Sequence, residues 1–88
     1  MTYYFYILFS KKLNRYYLGH TRDLFERIRK HNSHHKGYTG KVDNWELLYS
    51  KKYSSKSDAY ARERQVKSWK NRNRIEELIA RGSEHPDF

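Results

Sequence analysis

From Tyr3 to Phe9 every position is apolar or aromatic, which predicts a strand largely buried on both faces. Lys11-Lys12-Leu13-Asn14 interrupts the run as a turn, and Arg15 to Gly19 reads as a returning strand, completing a hairpin. Asp23 then reads as a helix N-cap, with Glu26 three residues on, an Asp form of the capping box. In that helix Leu24 and Ile28 stand at i and i+4 and are expected against the core. Arg27 and His31 have the same spacing and read as a separate polar stripe.

Asn32 to Val42 contains two glycines among basic and polar residues and reads as a loop. Trp45 to Tyr53 predicts a third strand. Ser55 or Ser57 caps a second helix running to about Trp69, with Ala59, Val66 and Trp69 on its inner side. Ile75, Leu78 and Ile79 mark a short third helix stopped by Gly82. There is no internal repeat, low-complexity segment or linker, so residues 1–82 read as a single domain and residues 83–88 as a frayed tail. The order ββαβαα predicts an α+β fold, a small three-stranded, mainly antiparallel sheet flanked by helices.

Composition narrows the function classes. With 88 residues there is chain for one small domain. The absence of cysteine excludes a disulfide framework, thiolate-ligated zinc, an iron–sulfur cluster and thiol catalysis. No apolar stretch approaches the ~20 residues that span a bilayer. Tyr3 to Phe9 lacks the basic lead and small-residue cleavage site of a signal peptide, so a cytoplasmic protein is expected.

The formal net charge is +9, and it is unevenly placed. Residues 11–41 and residues 51–74 each carry net +7, whereas residues 42–50 carry −2 and residues 75–88 carry −3. An aromatic content of 17% argues for a folded body rather than a disordered basic tail. Two basic blocks on a folded body suit a polyanionic partner.

Several familiar sites are missing. The chain has no GxGxxG or Walker-A loop, so no nucleotide cofactor is expected. His31, His34 and His35, with His20 upstream, lack the fourth ligand and regular spacing of structural zinc and read better as solvated or phosphate-facing. What stands out is Tyr4-Phe5-Tyr6 followed about ten residues later by Tyr17-Leu18-Gly19, with Arg27 and His31 on the next helix and Glu63 on the second.

These residues resemble the GIY-YIG nuclease family, and most closely its small single-domain branch. Tyr4-Phe5-Tyr6 occupies the first tripeptide and Tyr17-Leu18-Gly19 the second. The run from Tyr17 to Arg27 is similar to the family's second tripeptide, short turn and helical arginine. His31 falls one turn later, where members place His or Tyr. Ala59 to Lys67 looks like the second helix with its single glutamate, Glu63. The likeness extends over residues 3–80. One position departs from it: Tyr4 stands where the first tripeptide has glycine, at a strand position rather than a reacting group.

The resemblance implies a metal-dependent endonuclease that hydrolyses DNA phosphodiester bonds, using Tyr6, Tyr17, Arg27, His31 and Glu63; duplex, branched and single-stranded substrates, and repair, recombination, mobile-element, restriction and genome-plasticity roles, all stay open. Elementary chemistry asks for the same residue types. Glu63 is a hard oxygen ligand suited to Mg²⁺ or Mn²⁺, which keeps its waters and bridges to phosphate. Arg27 offers a rigid fork to a phosphate gaining charge. Tyr6 or Tyr17 would take the water's proton, as the family mechanism implies, and His31 would share that work or position a tyrosine hydroxyl.

Taken singly, the tyrosines fit cross-strand aromatics, Arg27 a solvated charge, and Glu63, between Arg62 and Arg64, a surface carboxylate. Gly19 reads as a backbone position allowing close approach, and His20 either as a phosphate neighbour or as a turn residue. His35, Lys36, Tyr38 and Lys41 are the expected strand contacts in the loop. The rival function is a non-catalytic nucleic-acid-binding module using the same basic face. Substrate specificity would come from the loop Ser33 to Lys41, DNA shape, a homo-oligomer or a protein partner.

Overall fold

A computed structural model describes residues 1–33 and 42–82. Its elements are β1 (Tyr3–Ser10), β2 (Arg15–Thr21), α1 (Leu24–His31), β3 (Glu46–Tyr53), α2 (Lys56–Ser68) and α3 (Arg72–Ala80). This is the ββαβαα order of an α+β fold. The loop contacts expected at His35, Lys36, Tyr38 and Lys41, and the tail at residues 83–88, lie outside the described residues.

The sheet order is β2-β1-β3, and both pairings are antiparallel throughout. The most apolar strand therefore takes the centre, where both faces are covered. Phe5 and Ile7 pack with Leu18, Tyr49, Val66 and Leu78, on the side of α2 and α3. Tyr6 and Leu8 point the other way and pack with Leu24, Val42 and Trp45, on the side of α1. The period of two along β1 thus divides one short strand between two small cores.

The register is regular along the hairpin, from Tyr4 opposite Thr21 to Ser10 opposite Arg15. Asn14 closes the turn at φ 53°, a left-handed conformation that asparagine tolerates. On the other side Ile7 pairs Tyr49 and Leu8 pairs Leu47, leaving Leu48 as the extra residue of a bulge.

The caps are local and specific. Asp23 accepts the Glu26 N–H at 3.0 Å, Ser55 accepts that of Asp58 at 3.1 Å, and Asn71 accepts those of Asn73 and Arg74. The capping box expected at Asp23 is only half built. The Glu26 carboxylate binds Arg29, and the Asp23 N–H goes instead to the Thr21 hydroxyl. A second expectation is also corrected. His31 is not part of a polar stripe with Arg27 but is buried, its ring 4.7 Å from that of Tyr17. Among the described residues no helix is long and apolar enough to cross a membrane.

Candidate active site

Because β2 is an edge strand, its alternating side chains supply both faces of the sheet at one rim. Tyr17 packs with the α1 core, while Leu18 packs with the α2 core. Beyond it, Gly19 lies on the Tyr6 side and His20 reaches Glu63 of α2. The two layers meet at this rim in an open cleft of about 590 Å³. Tyr6, Tyr17, Gly19, His20, Arg27 and Glu63 line it, joined by the cations Arg22, Lys30 and Lys56. The sequence-predicted residues thus converge, although they come from four elements. His31 stands behind the cleft rather than in its wall.

Gly19 and Tyr6 are cross-strand partners, and the tyrosine ring lies over the glycine. A Cβ on Gly19 would sit 2.6 Å from the Tyr6 hydroxyl and 2.7 Å from ring carbon Cζ, closer than atoms pack. Both Gly19 and His20 belong to strand β2, so the reading of His20 as a turn residue is corrected. Gly19→Ala should therefore displace Tyr6, destabilise the fold by about 1–3 kcal/mol and depress activity. Combining it with Tyr6→Phe should not restore stability, since Cζ still clashes. Denaturant midpoints of the two variants check this.

The Tyr6 hydroxyl is buried and shares a 3.0 Å hydrogen bond with His31 Nε2. Burial, reinforced by Tyr17, holds its pKa well above the ordinary tyrosine value, and nearby Arg27 offsets this only partly. Tyr6 is therefore kept neutral. Tyr17 differs in setting. It is half-buried, its ring held by His31 at 4.7 Å and by Trp45 at 6.2 Å, and its hydroxyl has no hydrogen-bond partner among the described residues.

Arg27 follows Leu24 on α1 by three positions and is exposed toward the cleft, with no side-chain hydrogen bond or ion pair among the described residues. Glu63 occupies the inner face of α2 together with Ala59 and Val66, at i−4 and i+3, and only 7% of it is exposed. His20 Nδ1 donates to Glu63 Oε1 at 2.6 Å, and Lys67 Nζ donates to Oε2 at 2.6 Å. Each carboxylate oxygen keeps a second lone pair.

Lys67 was not singled out in the sequence, although its i+4 spacing from Glu63 is the signal that finds it. Among the described residues no group of three or more His, Asp or Glu is gathered to enclose a metal ion. Chemically, the cleft brings together the buried Glu63 carboxylate, the Arg22 and Arg27 guanidiniums, the Tyr17 phenol, which has no hydroxyl partner among the described residues, and the ammonium groups of Lys30 and Lys56.

No curated protein sequence matches significantly. Among solved structures, the solution NMR structure of a UPF0213 protein from Bacillus halodurans is similar, with 33% identity and a TM-score of 0.57. The match covers 91% of this chain and 84% of that one. The family model described as the GIY-YIG catalytic domain matches residues 2–76, nearly the whole of the described fold including every cleft residue, and the chain belongs to the GIY-YIG family, whose domains are generally nucleases.

Proposed function

We propose that the protein is a divalent-metal-dependent endonuclease that hydrolyses DNA phosphodiester bonds in the β2-rim cleft. The observation that carries this reading is the shared location of Glu63, Arg27 and Tyr17 in one cationic cleft. In a protein that merely bound a polyanion, a buried carboxylate here would only tie up Lys67, a cation otherwise able to meet phosphate.

The donor set fits a single hard cation. Glu63 presents two oxygens with lone pairs to spare, and the Lys67 side chain that covers one of them is 52% exposed and free to swing into water. Mg²⁺ or Mn²⁺ needs one or two carboxylates, with water and phosphate oxygens completing its shell. Glu63 would hold it, and the bound ion would supply charge stabilisation to the phosphoryl oxygens and the departing alkoxide. His20 fixes the carboxylate's orientation through Oε1.

The remaining work falls to the α1 layer. Arg27 offers its planar fork to the phosphate as negative charge grows on it. Tyr17, half-buried in the cleft wall and without a hydroxyl partner among the described residues, is the better placed phenol to hold or accept the water's proton. Tyr6, buried and kept neutral, orients the site through His31. Tyr17→Phe should therefore lose far more cleavage than Tyr6→Phe at equal stability, in parallel turnover and thermal-unfolding measurements. A greater loss in Tyr6→Phe reverses the two roles.

The test is cleavage of plasmid and single-stranded DNA with Mg²⁺ or Mn²⁺, against the same reactions in chelator. Cleavage that requires the cation supports the reading. Tight binding with no cleavage under any divalent metal replaces it with the nucleic-acid-binding module. Binding itself should be electrostatic: neutralising five or six phosphates predicts at least ~100-fold weaker affinity between about 50 and 200 mM salt. Titrations across that range check this, and a flat salt dependence removes nucleic acid as partner.

A further inference from the structure

A second cavity opens beside the catalytic cleft, about 410 Å³ in volume and lined by His20, Lys56, Ser57 and Tyr60. His20 and Lys56 line both spaces, so the two are contiguous. Tyr60 is three residues before Glu63 on α2. The inner face of that helix is taken by Ala59, Glu63 and Val66, and Tyr60 stands outside it, 46% exposed. Its ring rests against His20 at 5.0 Å between centroids and an interplanar angle of 46°. The Arg64 guanidinium carbon lies 5.8 Å from the ring centroid.

A large aromatic ring left out of the core, tilted against His20 and set among cations, is a platform for another flat ring flanked by phosphates. We propose that Tyr60, with His20, Lys56 and Ser57, forms a stacking subsite for one unpaired nucleobase next to the phosphate held in the cleft. The inference rests on the nuclease reading and adds a substrate class to it. A base within a duplex has both faces stacked already, so the nucleotide taken here comes from a single strand, a frayed end or a base turned out of the helix. Lys56 meets the backbone on either side of that base, since it lines both spaces. Stacking reads no sequence, because every base has a π-face. The subsite therefore selects strand state and not sequence.

The test uses short oligothymidylates carrying one 2-aminopurine, walked position by position along the strand, titrated with protein in chelator so that nothing is cut. At one position wild-type protein should quench the 2-aminopurine fluorescence by stacking. Tyr60→Ala should abolish that quenching and weaken single-strand affinity by about 5- to 150-fold, whereas Tyr60→Phe keeps both. An abasic nucleotide at the quenched position should erase the difference between wild type and Tyr60→Ala. Circular dichroism of Tyr60→Ala should be unchanged, because the ring is outside both cores.

Unaltered quenching and affinity in a folded Tyr60→Ala overturn the subsite alone and leave cation-dependent cleavage standing. Loss of cleavage with retained Tyr60-dependent quenching overturns the nuclease reading and leaves a single-strand binding site. Wild-type protein that binds neither single strands nor duplex overturns both.

Discussion

Glu63→Gln is expected to reduce DNA cleavage by roughly a thousandfold or more while leaving DNA binding in chelator intact or stronger. The loss is large because Glu63 is the buried carboxylate of the cleft, and a neutral amide holds a hard cation poorly. A thousandfold corresponds to about 4 kcal/mol of transition-state stabilisation. The gain in binding follows from charge: one negative group facing the backbone is gone, and Lys67 is released to meet phosphate.

Glutamine keeps the size and helix propensity of glutamate, and Lys67 is half exposed, so no buried cation is stranded by the change. Thermal unfolding should move little. Wild-type turnover in this variant would overturn the proposed role of Glu63, and loss of binding together with cleavage would point to a folding defect.

Arg27→Ala should cost about a hundredfold or more in cleavage, the size found when a charge-stabilising donor is removed from a transition state. Helix α1 should survive it. The Arg27 side chain is exposed and bonded to nothing else among the described residues, and its backbone N–H still reaches the Asp23 carbonyl at 3.0 Å. Alanine is also the better helix former. Arg27→Lys keeps the charge but loses the fork, so it should recover part of the loss. Turnover of the three proteins at equal concentrations of folded material decides the point, and near-normal cleavage by the alanine variant would place the phosphate elsewhere.

Sequence patterning carried the fold because the decisive features are local. The apolar run of β1, the caps at Asp23 and Ser55 and the stop at Gly82 each act within a few residues. What it obscured lies on helix faces read too narrowly. Leu24, Ile28 and His31 follow the i, i+4, i+7 spacing of one inward stripe. Pairing His31 with Arg27 hid that stripe, because histidine looks polar until its ring is seen against Tyr6 and Tyr17. Ala59, Glu63 and Val66 repeat the same spacing, yet Arg62 and Arg64 on either side give Glu63 the look of a surface residue.

Other features are long-range and leave no local mark. The Asn32 side chain pairs with both backbone groups of Trp45, at 3.2 and 2.8 Å, tying the end of α1 to the start of β3. The contact of His20 with Glu63 spans 43 residues. Neither could be read from spacing alone, because each depends on which strand takes the centre of the sheet.

The edge position of β2 sets how long the cleft survives between thermal fluctuations. Among the described residues this strand is paired to β1 on one side only, so its outer backbone meets no ladder there. Tyr17, Gly19 and His20 all ride on it, whereas β1 and β3 can stay zipped together when it detaches. Partial unfolding of this kind takes less free energy than melting the whole domain. Warming is therefore expected to disperse the cleft while the β1–β3 pair still resists hydrogen exchange, which exchange measured across a temperature series checks.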